Sequence, residues 1–118
     1  MESLPFADAT FDAVTGVNAF QFAGAPRRAL REAARVLRPG GRLVASLFAA
    51  QERSEGTVAH EAMQALIPTE RQAEHSPYSL SAPGNLEQAL ASATLTPDSS
   101  GEVTCTWRYA SVDEAVRA

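Results

Sequence analysis

The sequence predicts an α/β fold built around a βαβ unit, and three stretches near its start support this. Phe11–Val17 (FDAVTGV) is a short β-branched run, typical of a buried strand. Pro26–Leu37 has the apolar spacing of an amphipathic helix. Arg42–Phe48 (RLVASLF) is a nearly continuous apolar run, as in strands covered on both faces. The length of the connection predicts parallel pairing with a right-handed crossover, and places Val14 and Leu43 on adjoining strands.

The helix between these strands is predicted from its ends as well as from its face. Pro26 suits the first turn of a helix. Pro39-Gly40-Gly41 should end it, because proline cannot continue a helix and glycine accepts a left-handed cap. The apolar residues recur at i, i+3, i+4 and i+7: Leu30, Ala33, Ala34 and Leu37.

Three further helices and a strand are predicted in the rest of the chain. Thr57–Ile67, with Thr57 as its N-cap, and Pro83–Ala93 have helical patterns. A capping box, serine followed three residues later by glutamate, precedes a short helix from Ser111. Apolar residues alternate along Glu102–Tyr109 (EVTCTWRY), which predicts a half-buried strand that also buries its cysteine.

Composition sets limits on the function. The chain has 118 residues, enough for one small domain over residues 1–118, and 45% of them are hydrophobic. A formal net charge of -4 argues against a nucleic-acid partner. The single cysteine excludes an internal disulfide, and no apolar run approaches the ~20 residues of a bilayer span. These features predict a cytoplasmic protein without a membrane partner, and no secretory leader is recognisable.

Four segments together resemble the class I S-adenosylmethionine-dependent methyltransferases of the small-molecule, type 11 kind. The resemblance is carried by Leu4–Val14 (LPFADATFDAV), Asn18–Phe22 (NAFQF), Ala29–Phe48 (ALREAARVLRPGGRLVASLF) and Pro77–Leu90 (PYSLSAPGNLEQAL). It covers essentially the whole chain, but only the C-terminal half of the family's domain. It implies a partial Rossmann-like sheet whose N-terminal half is missing, with Glu102–Tyr109 as a C-terminal antiparallel strand.

The resemblance also implies S-adenosylmethionine as the cofactor, with part of its site absent. In the family an acidic residue that binds the adenine precedes the Leu-Pro-Phe motif, and here it would fall just before Met1. The family's Gly-rich turn has no counterpart, since Gly40-Gly41 follows a helix instead of opening one. Cofactor binding by this chain alone is therefore not expected.

The remaining part of the implied site is the end of the first predicted strand. Ligands of open α/β sheets bind outside the carboxyl ends of strands, where the strand order reverses. The resemblance therefore assigns cofactor binding to Asn18, Ala19, Phe20 and Gln21, with Phe22 beyond them toward the methyl acceptor. An asparagine offers both a donor and an acceptor, and an aromatic ring tolerates a sulfonium cation. No catalytic acid or base and no metal ligand set is predicted.

Two surface patterns have more ordinary interpretations. The arginines at 27, 31, 35 and 38 form a stripe that could contact phosphates, but a solvated helix face is favoured because aromatic residues are absent. His60-Glu61 begins a near miss to a zinc-binding helix, with Gln64 where the second histidine would stand.

Two function classes stay open. One is a methyltransferase, or part of one, that acts on a small molecule and is expected to be inactive alone. The other is a non-catalytic remnant or dimerising module that keeps the βαβ core. Because an apolar strand with a free edge is a template for another chain, we expect a homodimer or strand exchange at Phe11–Val17 or Glu102–Tyr109.

Overall fold

The computed structural model describes residues 1–66, 76–106 and 108–117. Two parallel strands, joined by one helix, are followed by three more helices and short 3₁₀ turns. The elements are β1 (Phe11–Val17), α1 (Pro26–Val36), β2 (Leu37–Ser46), α2 (Gly56–Leu66), α3 (Asn85–Ser92) and α4 (Val112–Arg117).

The predicted βαβ unit is confirmed. β1 and β2 pair in parallel, with Val14 opposite Leu43. β2 begins earlier than predicted, because Leu37 already pairs with Phe11 before the chain turns away and rejoins the ladder at Arg42. The turn contains Gly40 at φ +78°, a conformation that favours glycine.

The core lies between one face of this sheet and helices α1 and α3. Apolar side chains of α1 recur with helical spacing, so that one face of the helix is buried, whereas its arginines stay outside. Val14 and Leu43 reach this core from the sheet, as do Leu47 and, from α3, Leu90. The buried cluster consists of Phe20, Ala23, Ala29, Leu30, Ala33, Leu80, Ala89 and Ala93.

On the opposite face of the sheet, the described residues leave apolar side chains exposed to solvent. Side chains alternate between the two faces of a strand, so Val17 and Val44 point away from α1. Val17 is 76% exposed and Val44 62% exposed. Strands of this composition are normally covered on both faces, which makes the exposed face the main departure from the sequence pattern.

The first ten residues run alongside α1 and are fastened to it. The Leu4 N–H donates to Glu32 at 3.0 Å, and the Thr10 N–H donates to the Val36 carbonyl at 2.8 Å. Arg35 forms a two-pronged pair with Glu32 and also bonds Asp8 at 2.6 Å. Together, the Arg35 guanidinium and the Leu4 N–H lower the pKa of Glu32 to about 2.

The predicted arginine stripe is therefore partly neutralised by neighbouring carboxylates. Besides the contacts of Arg35, Arg38 bonds both oxygens of Asp12, at 2.7 and 2.8 Å. This arrangement agrees with the solvated helix face that the sequence favoured over a phosphate-binding stripe.

The three later helices lie where the sequence predicted them, with different ends. Thr57 lies inside α2 and does not cap it, and its hydroxyl bonds the Gln51 carbonyl at 3.0 Å. The predicted end of this helix at Ile67 is outside the described residues. The capping box before α4 is present: the Glu114 N–H donates to the Ser111 hydroxyl, and the Glu114 carboxylate accepts from the Ala110 N–H.

Residues 101–106 and 108–110 differ from the prediction. They form no strand, and Val103 is 92% exposed. Cys105 is also exposed, so the prediction that it is a buried hydrophobe was wrong. The physical reason is that no neighbouring strand among the described residues completes a ladder for this segment. Trp107, part of the same predicted strand, is outside the described residues.

Within the described ranges, no helix has both the length and the apolar character needed to cross a bilayer.

Candidate functional site at the carboxyl ends of the strands

The two strands end together where Asn18 bonds Ser46. The Asn18 N–H donates to the Ser46 carbonyl at 3.0 Å, and the Ser46 hydroxyl donates to the Asn18 amide oxygen at 3.3 Å. Asn18 has φ +47°, a left-handed conformation that asparagine tolerates better than most residues. The chain therefore turns away from the sheet at once after β1, and this leaves the carboxyl edge open.

The four predicted cofactor-binding residues lie in one turn but have different environments. Asn18 is exposed and Ala19 half-buried, and a 3₁₀ turn over Phe20–Phe22 follows them. Phe20 is 3% exposed and Gln21 1% exposed. Asn18 and Ala19 thus remain accessible at the open edge, whereas Phe20 and Gln21 belong to the interior.

Gln21 joins the loops that follow the two strands. Its Oε1 accepts the Phe48 N–H at 2.6 Å, and the Phe48 carbonyl accepts a hydrogen bond from the Ser81 hydroxyl. The Gln21 Nε2 is buried and has no hydrogen-bond partner among the described residues. The Gln21 side chain thereby holds the 3₁₀ turn over Phe20–Phe22 against the segment that follows β2.

An aromatic row extends from this turn across the carboxyl edge. Phe22, 62% exposed, meets Phe48 edge to face, with ring centroids 5.7 Å apart. Phe48 lies 5.6 Å from Tyr78, which in turn meets His60 at 5.8 Å. Only Phe22 of these four was identified from the sequence. The position of Phe48 as the last residue of the second apolar run was the signal that could have found it.

A small cleft opens beside Tyr78. Its volume is about 150 Å³, and Gln51, Glu52, Ser76 and Ser79 contribute to its lining. A pocket for a drug-sized ligand typically encloses roughly 300–1,000 Å³. A larger cleft of about 300 Å³ lies away from this edge, between the second half of α1 and the end of α3. Neither cleft is lined by Asn18 or Ser46, so the described residues form an open surface at the strand ends.

The start of the chain reaches the same edge. The Glu2 carboxylate accepts the Ala25 N–H at 3.0 Å, and Ala25 immediately precedes α1. The Ala25 N–H is the main cause that lowers the pKa of Glu2 to about 2. Because α1 begins where β1 has ended, this bond places Met1 and Glu2 near the turn that contains Asn18. The described residues include no group of three or more His, Cys, Asp or Glu side chains able to hold a metal ion.

A comparison with known protein families matches residues 1–45 to a family described as "Methyltransferase domain". These residues are similar to a segment of a methyltransferase domain, and we call them the methyltransferase-domain segment. The resemblance that the sequence analysis drew to class I S-adenosylmethionine-dependent methyltransferases is confirmed for them. The methyltransferase-domain segment includes β1, α1, almost all of β2 and the four predicted cofactor-binding residues. Methyltransferases of this kind in general use S-adenosylmethionine.

A relative from Hahella chejuensis (strain KCTC 2396) supports the same assignment. It is described as "Malonyl-[acyl-carrier protein] O-methyltransferase", and it is 51% identical to this chain over 51 residues. The aligned part is 43% of this chain and 18% of the relative. The alignment therefore relates less than half of this chain to a fraction of a much longer protein.

Proposed function

We propose that the chain is part of an S-adenosylmethionine-dependent methyltransferase that acts on a small molecule. The observation that carries the proposal is the open carboxyl edge within the matched segment, where Asn18 ends β1 beside Ser46. This edge is the ordinary ligand position of an α/β sheet. The proposal treats residues 1–118 as one partial domain.

The residues at this edge are suited to one wall of a donor site. The bound cofactor supplies a methyl group on a cationic sulfur. The exposed Asn18 amide offers both a hydrogen-bond donor and an acceptor to its polar groups. The exposed ring of Phe22 offers an apolar face that also tolerates positive charge. Phe20 and Gln21 contribute by holding this turn in place.

We further propose a carboxylate group as the methyl acceptor. The support is the malonyl O-methylation in the printed name of the relative, of which the aligned region covers 18%. A carboxylate is already ionised near pH 7, so this chain need not provide a general base. Its residues would instead orient the reactants and exclude water.

A non-catalytic module is the second candidate, and two observations favour it. Phe20 and Gln21 are buried as structural residues, and the cleft beside Tyr78 has a volume of only about 150 Å³. A protein that had kept only the βαβ core would need buried structural residues at this turn but no ligand pocket.

Isothermal titration of the full chain with S-adenosylmethionine and with S-adenosylhomocysteine separates the two candidates. Micromolar binding that weakens in Asn18→Gly supports the methyltransferase proposal. Glycine accepts the left-handed φ of Asn18 but removes its amide, so the fold is kept while the contact is lost. Gln88→Ala, at an exposed position on α3, is the control that should bind as the parent does. Absence of binding heat at millimolar ligand contradicts donor binding by this chain and supports the non-catalytic module.

A further inference from the structure

The segment over Glu102–Tyr109 has the amino-acid composition of a β-strand. The described residues contain no strand that pairs with it. Its residues are mainly β-branched or aromatic, and it contains no proline or glycine. Val103 is 92% exposed and Tyr109 46% exposed. Segments of this composition readily form a ladder with any free strand edge they meet.

A free edge of this kind exists on β2. Among the described residues the sheet has two strands, so the side of β2 that faces away from β1 carries no ladder. The regular part of β2, over residues 42–46, includes the 62% exposed Val44. An added strand would satisfy the backbone groups of this edge and extend the bare apolar face that Val17 and Val44 share.

Two ion pairs show the direction of the chain that leads into this segment. Arg42 bonds Asp98 at 3.2 Å, and Arg53 bonds both oxygens of Glu102, at 2.5 and 2.7 Å. The chain from Asp98 to Glu102 therefore follows the direction of β2 and passes its carboxyl end. In the sequence, residues 103–109 contain none of the usual turn-forming residues that would send the chain back along its own β2.

We propose that a second copy of this chain provides the missing partner: residues 103–109 of each copy add as a strand to β2 of the other. A reciprocal exchange forms a closed dimer in which both free β2 edges are covered. The proposal does not depend on the methyltransferase assignment.

Light scattering after size exclusion tests the assembly. At micromolar to submillimolar concentration the expected mass is twice the 12.5 kDa of one chain. Thr104→Pro and Cys105→Pro remove adjacent backbone N–H groups, and since alternate N–H groups face the partner strand, one of them should shift the protein to single-chain mass. Ser100→Pro, upstream in the same exposed stretch, is the matched control that should stay dimeric. A single-chain mass at every concentration, or a dimer unaffected by either proline, overturns the proposal.

A disulfide between strands identifies the partner. Cys105 is the single cysteine, so Val44→Cys creates one new pair across the proposed junction. Mild oxidation should give a covalent dimer on a non-reducing gel, in higher yield than in the parent or in Val58→Cys on the exposed side of α2. A monomer containing an internal disulfide would show that the segment closes on its own β2, which contradicts exchange. Equal yields in all three proteins contradict it as well.

Discussion

A Cβ atom on Gly16 would lie 2.3 Å from Cε2 of Phe20. Gly16 is near the end of β1, and the Phe20 ring lies directly against the strand at this position. This close approach allows the 3₁₀ turn to fold back under the sheet and bury Phe20 in the core. The position of the exposed Asn18 at the open edge follows from the same contact.

Gly16→Ala should therefore destabilise the protein. The added methyl group would force the Phe20 ring or β1 to move, and overpacking of this kind typically costs about 1–3 kcal/mol. The measurement is the free energy of unfolding in denaturant. Gly101→Ala, where the new Cβ meets nothing within 4 Å, is the control and should be neutral or slightly stabilising. Equal stability of the two variants would contradict the proposed close contact.

Thr94→Gly should stabilise the protein. Thr94 follows α3 at φ +56°, and its N–H bonds the Ala91 carbonyl while the Leu95 N–H bonds the Leu90 carbonyl. This is the Schellman arrangement, which favours glycine at this position. Relief of the left-handed strain, less the entropy cost of glycine, should give a gain of up to about 1 kcal/mol.

The thermal unfolding midpoint measures this effect. Thr96→Gly is the matched control because Thr96 does not have a positive φ, and it should lower the midpoint or leave it unchanged. A lower midpoint for Thr94→Gly than for the parent would be inconsistent with the cap geometry.

Glu32 should make the stability of the protein depend on acid pH. Its folded pKa is lowered from 4.5 to about 2 by Arg35 and the Leu4 N–H, so the unfolded chain binds its proton first. The contribution is present above pH 4.5 and is lost as the pH falls toward 2. Glu32→Gln should flatten the stability curve in this window, as followed by denaturant unfolding at several pH values. A Glu32→Gln curve as steep as that of the parent in this window would contradict the prediction.

Asn18→Ala should destabilise the end of β1 more than Asn18→Gly does. Alanine in the left-handed region costs roughly 1 kcal/mol more than glycine, whereas both variants lose the hydrogen bond from the Ser46 hydroxyl. Unfolding free energies of the two variants provide the comparison. If the alanine variant were the more stable of the two, the left-handed turn at Asn18 would not be the conformation in solution.

The βαβ unit could be predicted from the sequence because its signals are local. The period of Leu30, Ala33 and Ala34 specifies a helix face, and the two apolar runs specify strands long enough to pair. The sequence placed Val14 and Leu43 on adjoining parallel strands, and the structure shows that they pair directly. The family match over residues 1–45 rests on this same region.

The sequence predicted where the candidate site lies along the chain, but not which of its side chains are exposed. Asn18 through Gln21 could be placed after β1, but whether each side chain points outward depends on the approach of Phe20 to Gly16 and of Gln21 to Phe48. Such contacts join residues that no local pattern relates, so burial could not be assigned in advance. The contacts of Tyr78 with Phe48 and His60 likewise could not be predicted from a local pattern.

The sequence by itself determined the helices and the two paired strands, because their periodicity is a property of neighbouring residues. Only the tertiary structure decided which faces are covered. Val103 and Cys105 alternate as strand residues should, yet they are exposed because a strand is stable only beside another strand. Burial depends on the partner as much as on the segment, and a local sequence pattern does not specify the partner.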